Sequence, residues 1–270
     1  MNFETFLALN QIFTIEEVRK ALDLKATTST LNNLLAYHLK RGHILRIRKG
    51  LYYTIPRGSK AETCPVDSYL IAAKMADDAV LAHHTALDYY GKLHSMRNDR
   101  LYLTSHKIGK SFTFRNVTYK GVSIPKELAT SSDSEFGIQP IDRMGINIRI
   151  TTLERTFVDV LDRPSLTGEW EEIWRSLESI EYFDLKKILD YTLLLKSATT
   201  CARVAFFLES HREALHVSEE FLQLFKPHIP KSPHYFDRKK KGPHQLIARW
   251  NLIVPKSLLQ RIWEEPNGHF

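Results

Sequence analysis

The sequence predicts an α+β chain, with a winged helix-turn-helix over residues 1–58 and a mixed α/β second domain over residues 59–270 whose C-terminal part is largely helical. Three observations predict it. The first sixty residues carry the order helix, helix, helix, hairpin. Charge is divided unevenly: residues 1–60 hold ten Lys or Arg and four Asp or Glu, a net +6, while the rest hold 28 and 27, a net +1. Beyond residue 66, strand and helix patterns alternate, and from Trp170 the helical pattern dominates.

The first helix spans Phe3 to Leu9. The second starts at Thr14, where Thr14 and Glu17 make a capping box flanked by Phe13 and Val18 as a hydrophobic staple, and it runs to about Leu22. Asp23-Leu24-Lys25 reads as a short turn. A third helix runs from Thr28 to Arg41 and stops at Gly42. Leu31, Leu34, Leu35, His38 and Leu39 make one inward stripe on it; Thr30, Asn32, Asn33, Tyr37 and Lys40 lie off that stripe. Ile44 to Arg48 and Leu51 to Ile55 alternate as two strands joined by Lys49-Gly50, with Leu45 and Ile47 on one face and Arg46 and Arg48 on the other. Pro56-Arg57-Gly58-Ser59 reads as a linker.

The second region opens with helices at Val66–Ala76 and about Ala82–Tyr90. Strands follow at Arg100–Ser105, Phe112–Phe114, Val117–Tyr119, Gly121–Ile124 and Ile146–Ile150, with a polar loop at Ser131–Gln139. Thr151 and Glu154 suggest a capping box for a helix through Leu161, ended by Pro164. Its buried face is Leu153, Phe157, Val160 and Leu161, and Arg155 and Asp159 are spaced as an i,i+4 ion pair. Helices are expected at Trp170–Ser179, Asp184–Leu195, Thr199–Glu209 and Glu219–Phe225. Residues 226–249 read as irregular and basic, with seven Lys or Arg against one Asp.

No apolar run reaches the ~18 residues that span a bilayer. Met1-Asn2-Phe3-Glu4 shows no signal-peptide pattern, so a cytoplasmic protein is expected. Cys64 and Cys201 are the only cysteines and fit two idle thiols. No metal or cofactor site is expected. His83-His84 places two rings on different helix faces, and His228, His234 and His244 lack ligand spacing. No G-x-S-x-G, Walker A, G-x-G-x-x-G, H-E-x-x-H or C-x-x-C motif occurs.

A compact basic module beside a near-neutral body suits phosphate binding. The third helix fits a major groove and presents short polar side chains at its start. Thr27, Thr28, Ser29, Asn32 and Asn33 are therefore candidates for base or phosphate contact, with Lys25 and Arg41 flanking them. Arg46, Arg48 and Lys49 are candidates for contact with the neighbouring backbone of double-stranded DNA. Arg238, Lys239, Lys240 and Lys241 form a basic run that either is a solvated loop or makes a second nucleic-acid contact. Two other classes fit the same sequence: a DNA-cleaving enzyme targeted by the winged helix, and a protein-binding adaptor.

The run Arg46-Ile47-Arg48-Lys49-Gly50-Leu51-Tyr52-Tyr53 after the helix-turn-helix resembles the AbiEi antitoxins, the transcriptional repressors of abortive-infection toxin–antitoxin pairs. Val80-Leu81-Ala82-His83-His84-Thr85-Ala86-Leu87 with Tyr90-Gly91, Leu101-Tyr102-Leu103-Thr104, and Ile150-Thr151-Thr152-Leu153-Glu154-Arg155-Thr156-Phe157-Val158-Asp159 are similar to further parts of that family. The resemblance covers about residues 3 to 210 and does not extend to 211–270. It implies a winged helix that binds operator inverted repeats in its own promoter. It also implies a second, AbiEi-like antitoxin domain that opposes a co-encoded nucleotidyltransferase toxin of the AbiEii type, with or without direct contact.

Overall fold

The computed structural model describes residues 1–22, 28–129 and 131–261. The expected turn at Asp23-Leu24-Lys25, and with it Lys25 and Thr27, lies outside the described residues.

The chain is mixed α and β, with three sheets among the described residues. Helix α1 (Phe3–Leu9) is capped by Asn2, whose side chain accepts from the Thr5 amide at 2.8 Å. Strand β1 (Ile12–Thr14) follows, then α2 (Ile15–Ala21) and α3 (Thr28–Lys40). The α2 capping box forms as expected: the Thr14 amide donates to Glu17 Oε2 at 2.7 Å and the Glu17 amide to Thr14 Oγ1 at 3.3 Å. Strands β2 (Ile44–Arg48) and β3 (Leu51–Thr54) make the hairpin. The sequence pattern misses β1, which pairs antiparallel with β3 and completes a three-stranded sheet in the order β1-β3-β2. Its three residues end on the helix cap Thr14 itself, too few for a period-2 signal.

This small sheet is buried on both faces. Phe13, Ile44 and Tyr52 pack against Phe3, Phe6, Val18, Leu31 and Leu35 of the three helices. Ile12, Ile47, Leu51, Tyr53 and Ile55 instead share a core with Cys64, Leu70, Ile71, Met75 and Ile148, so apolar packing continues across Pro56-Arg57-Gly58-Ser59. Beside that core, Lys74 forms an ion pair with Glu17. Burial alone would raise the Glu17 carboxyl, but Lys74 and the Thr14 cap together hold it below its ordinary range.

Next come α4 (Ser68–Ala73), β4 (Val80–Leu81), α5 (His84–Tyr89), β5 (Asp99–Thr104), β6 (Phe112–Phe114), β7 (Val117–Ser123), α6 (Lys126–Ala129), β8 (Ile138–Arg143) and β9 (Ile146–Thr151). They build a six-stranded mixed sheet in the order β6-β7-β5-β4-β9-β8. β7 is one strand where the sequence suggested two, and β8 occupies the end of the expected 131–139 loop. Arg115 and Asn116, both at positive φ, turn β6 into β7; Met144 and Gly145 do the same between β8 and β9.

Helix α7 (Leu153–Asp162) is capped by Thr152, whose side chain accepts from the Arg155 amide, and not by the expected Thr151–Glu154 box. Thr151 remains in β9 with its hydroxyl on Thr156. After a 3-10 turn at Pro164–Leu166 come α8 (Trp170–Glu178), α9 (Leu185–Leu194), α10 (Ala198–Ser210) and α11 (Glu219–Gln223), packed with α7 around Phe157, Trp174, Tyr191 and Phe207. The segment 226–249 is not wholly irregular. Strands β10 (His234–Tyr235) and β11 (His244–Ile247) flank β12 (Leu252–Pro255), and α12 (Lys256–Leu259) follows. These strands are only two to four residues long, so they leave no alternation to read. Phe236, Trp250, Leu252 and Val254 tie this sheet into the helical core. Cys64 and Cys201 are buried free thiols, and burial pushes the Cys201 thiol up to about 12. Among the described residues, no helix is long and apolar enough to cross a membrane.

Candidate nucleic-acid interface

The inward stripe of α3 fixes what its other faces present. Leu31, Leu35 and His38 are buried, with Leu34 and Leu39 partly so. Ser29, Asn32, Asn33, Tyr37 and Lys40 are exposed. Thr28 is the first residue of the helix. Arg41, one residue past the helix, is exposed and sits over the Tyr37 ring at 5.3 Å. α3 thus offers two amides and a hydroxyl near its start and a stacked guanidinium at its end. Short amides of this kind can read base edges, because one Asn can donate to and accept from the same adenine.

At its C-terminal end, His38 faces His43 with the two Nδ1 atoms 3.0 Å apart. Burial and the neighbouring His43 lower the His38 pKa. The helix end is therefore held by a pair in which one nitrogen donates and the other accepts.

The hairpin does not present its three cations alike. Register shifts between Arg46 and Arg48, with Arg46 opposite Tyr52 and Arg48 opposite Leu51. Ile47 occupies the bulge and is buried. Gly50 turns the chain at φ +84, which a glycine adopts without strain. Arg46 and Lys49 are exposed, and no acid pairs with either among the described residues. Arg48 is half-buried, and its Nη2 donates to the Met75 carbonyl at 2.8 Å. The expectation that Arg48 shares one open face with Arg46 and Lys49 is corrected: the bulge redirects it toward α4. Nothing in a linear pattern marks this, since its partner is a backbone carbonyl distant in sequence.

The structure places the second basic run apart from the first. Arg238, Lys239, Lys240 and Lys241 are all exposed and line a cleft bordered by the end of α7, the start of α10 and β10. His83 and His84, whose rings the sequence places on different helix faces, are both buried. His84 Nδ1 faces the Leu166 carbonyl at 2.9 Å and Nε2 the Asp99 carbonyl at 3.2 Å. His83 precedes α5 at φ +54, is 1% exposed, and neither ring nitrogen has a hydrogen-bond partner among the described residues. Arg155 and Asp159 are equally enclosed, at 0% and 3% exposure, with Nε 3.5 Å from Oδ2. The Tyr191 hydroxyl donates to Asp159 Oδ1 at 2.6 Å, and Arg155 Nη1 donates to the Phe136 carbonyl at 2.6 Å. The i,i+4 spacing found the pair but not its burial. Among the described residues, no group of three His, Cys, Asp or Glu side chains could hold a metal ion.

No family model matches the chain, and no curated protein matches it. Among solved structures it is similar to the RV2827C protein from Mycobacterium tuberculosis, with a TM-score of 0.63 and 16% identity over 94% of this chain and 90% of that one. At this identity the likeness is one of fold.

Proposed function

We propose that the chain is a DNA-binding transcriptional repressor of antitoxin type, acting in the cytoplasm. In this reading residues 1–58 are a winged helix. The order α1, β1, α2, α3, β2, β3, with the three strands in one antiparallel sheet, supports it. α3 is the recognition helix, Asn32 and Asn33 read bases, and Arg46 and Lys49 of the wing neutralise phosphates. The observation that carries the reading is that these side chains stand exposed on a buried scaffold, with no acid pairing the two cations among the described residues.

The resemblance to the AbiEi antitoxins supplies the biological half of the proposal. The protein represses its own operon through inverted repeats, and its second region counters a co-encoded nucleotidyltransferase toxin of the AbiEii type. Two experiments test the halves separately. Fluorescence anisotropy should show tighter binding to a duplex from the chain's own upstream region than to a random duplex, steeply weakened by salt. Equal affinity for both would sink sequence recognition. Co-expression with the neighbouring reading frame, each from its own inducible promoter, should relieve growth arrest; unrelieved arrest would sink the antitoxin role.

A further inference from the structure

We propose that the cleft bordered by the 3-10 turn at Pro164–Leu166, the start of α10 and β10 binds a single-stranded nucleic acid, gripping its phosphates and stacking one unpaired base. The cleft has a volume of about 1280 Å³. That exceeds the roughly 300–1,000 Å³ of ordinary small-molecule sites. It suits a length of chain better than a lone metabolite.

The charge balance of its walls selects an anion. Seven Arg or Lys line it against four Asp or Glu. Three of the four acids sit in ion pairs: Arg97 lies 3.8 Å from Glu172 and 3.0 Å from Asp99, Arg163 3.4 Å from Asp162, and Lys240 3.6 Å from Glu169. Asp237 accepts from the Trp170 indole at 2.7 Å and from the Lys239 amide at 2.8 Å. Arg203 is anchored on backbone carbonyls of Leu161 and Asp162. Arg238, Lys239 and Lys241 are left exposed at the rim, and their side chains have no acid partner among the described residues. Three unpaired cations above an internally neutralised wall form an electrostatic funnel for phosphates.

One aromatic ring decides between single and double strands. Tyr235 lies on β10, between half-buried His234 and buried Phe236, and is 46% exposed at the cleft. The His244 ring meets it edge-on at 5.6 Å, and His234 Nδ1 lies 2.7 Å from Thr199 Oγ1 at the start of α10. The strand is thus fixed on both sides of Tyr235. A π-face held beside phosphate-binding cations is the arrangement that stacks an unpaired base. Duplex bases are already stacked on each other and cannot use it.

The test measures anisotropy of fluorescein-labelled rU10 and dU10 on the full-length protein across a salt series. Both strands should bind, Tyr235→Ala should leave affinity for a labelled ten-base-pair duplex unchanged, and ATP should compete only at much higher concentration. Tyr235→Ala should weaken binding about tenfold or more with little change in salt slope. Lys239→Ala with Lys241→Ala should make the slope shallower by about 1.4, at about 0.7 per lost contact. Thermal melts of both variants, whose changed side chains are exposed, confirm the fold. An Arg46→Ala, Lys49→Ala variant should bind rU10 and dU10 unchanged, which separates this cleft from the N-terminal interface. A Tyr235→Ala variant of parental affinity for the strands, an equal loss of duplex binding in that variant, or competition by ATP as strong as by unlabelled strand would each overturn the proposal. A preference for rU10 over dU10, which differ only in the 2′-hydroxyl, would identify RNA, and the reverse would identify DNA.

Discussion

Arg48 Nη2 donates to the carbonyl oxygen of Met75 at 2.8 Å, tying the hairpin to the residues just beyond α4. This contact divides the three hairpin cations by role. Arg46→Ala with Lys49→Ala should make the slope of log K against log salt for duplex DNA shallower by about 2, at about 0.9 per phosphate. Arg48→Ala should leave that slope unchanged and lower the denaturation midpoint instead, because it leaves the Met75 carbonyl unpaired. A slope change in Arg48→Ala as large as in the double variant would place all three on DNA.

In the proposed function, specificity belongs to α3. Asn32→Ala or Asn33→Ala should narrow the gap between operator and random DNA by about 1–3 kcal/mol while leaving random-DNA affinity nearly intact. Both side chains are exposed, so neither variant should melt earlier than the parent. If both retain full discrimination, bases are read by another face.

His83 makes acid stability predictable. Burial first, then the charge of Arg163 and the neighbouring His84, push its pKa down to about 3. In the unfolded chain the ring titrates near the ordinary value of about 6.5. The folded form therefore binds fewer protons between these two values, and stability falls as pH falls. The contribution is complete above about pH 6.5 and is lost toward pH 3 at about 1.4 kcal/mol per pH unit. Chemical denaturation between pH 7 and 4 measures it. Glycine adopts φ +54 with ψ −135 without strain and does not titrate, so the stability of His83→Gly should fall less steeply with acid. Parallel profiles for the two proteins would show that His83 takes up its proton as readily in the fold as in the unfolded chain.

The Arg155–Asp159 pair tests burial directly. Burial pushes the Asp159 carboxyl up, against the pull of Arg155 and the Tyr191 hydroxyl. Asp159→Ala should cost about 3–5 kcal/mol, because it strands a guanidinium in the core. Arg155→Met together with Asp159→Leu should recover much of that loss. Urea melts would decide; a single variant as stable as the parent would mean that water reaches the site.

Local signals explain what was legible. α1 spans the residues its pattern marked, α2 starts at its capping box, and α3 follows its apolar stripe, because each depends on neighbours three or four residues away. Long-range features were not. The adjacent Thr151 and Thr152 offer the same cap chemistry, and only the pairing of β9 decides that Thr152 takes it. β8 contains Pro140 and Asp142, poor strand formers that the sheet tolerates at its edge. Of the interface, Asn32, Asn33, Arg46 and Lys49 could be named from sequence as exposed polar groups. The burial of Arg48 behind a bulge could not, and neither could the position of Tyr235 beside Lys239 and Lys241.

The sheet β1-β3-β2 is clothed on both sides, by the helices before it and by the body after it. A hybrid protein made by cutting at Ser59 and grafting a foreign N-terminal module would therefore inherit a mismatched seam. The Pro65 carbonyl would lose the hydroxyl of Tyr53 that donates to it, and Cys64, Leu70 and Met75 would meet whatever residues the graft supplied. Exchange should succeed only when Ile12, Ile47, Leu51, Tyr53 and Ile55 travel with the body they fit. On the proposed function, operator preference is then to be reprogrammed by repainting the outside of α3, without moving a module boundary at all.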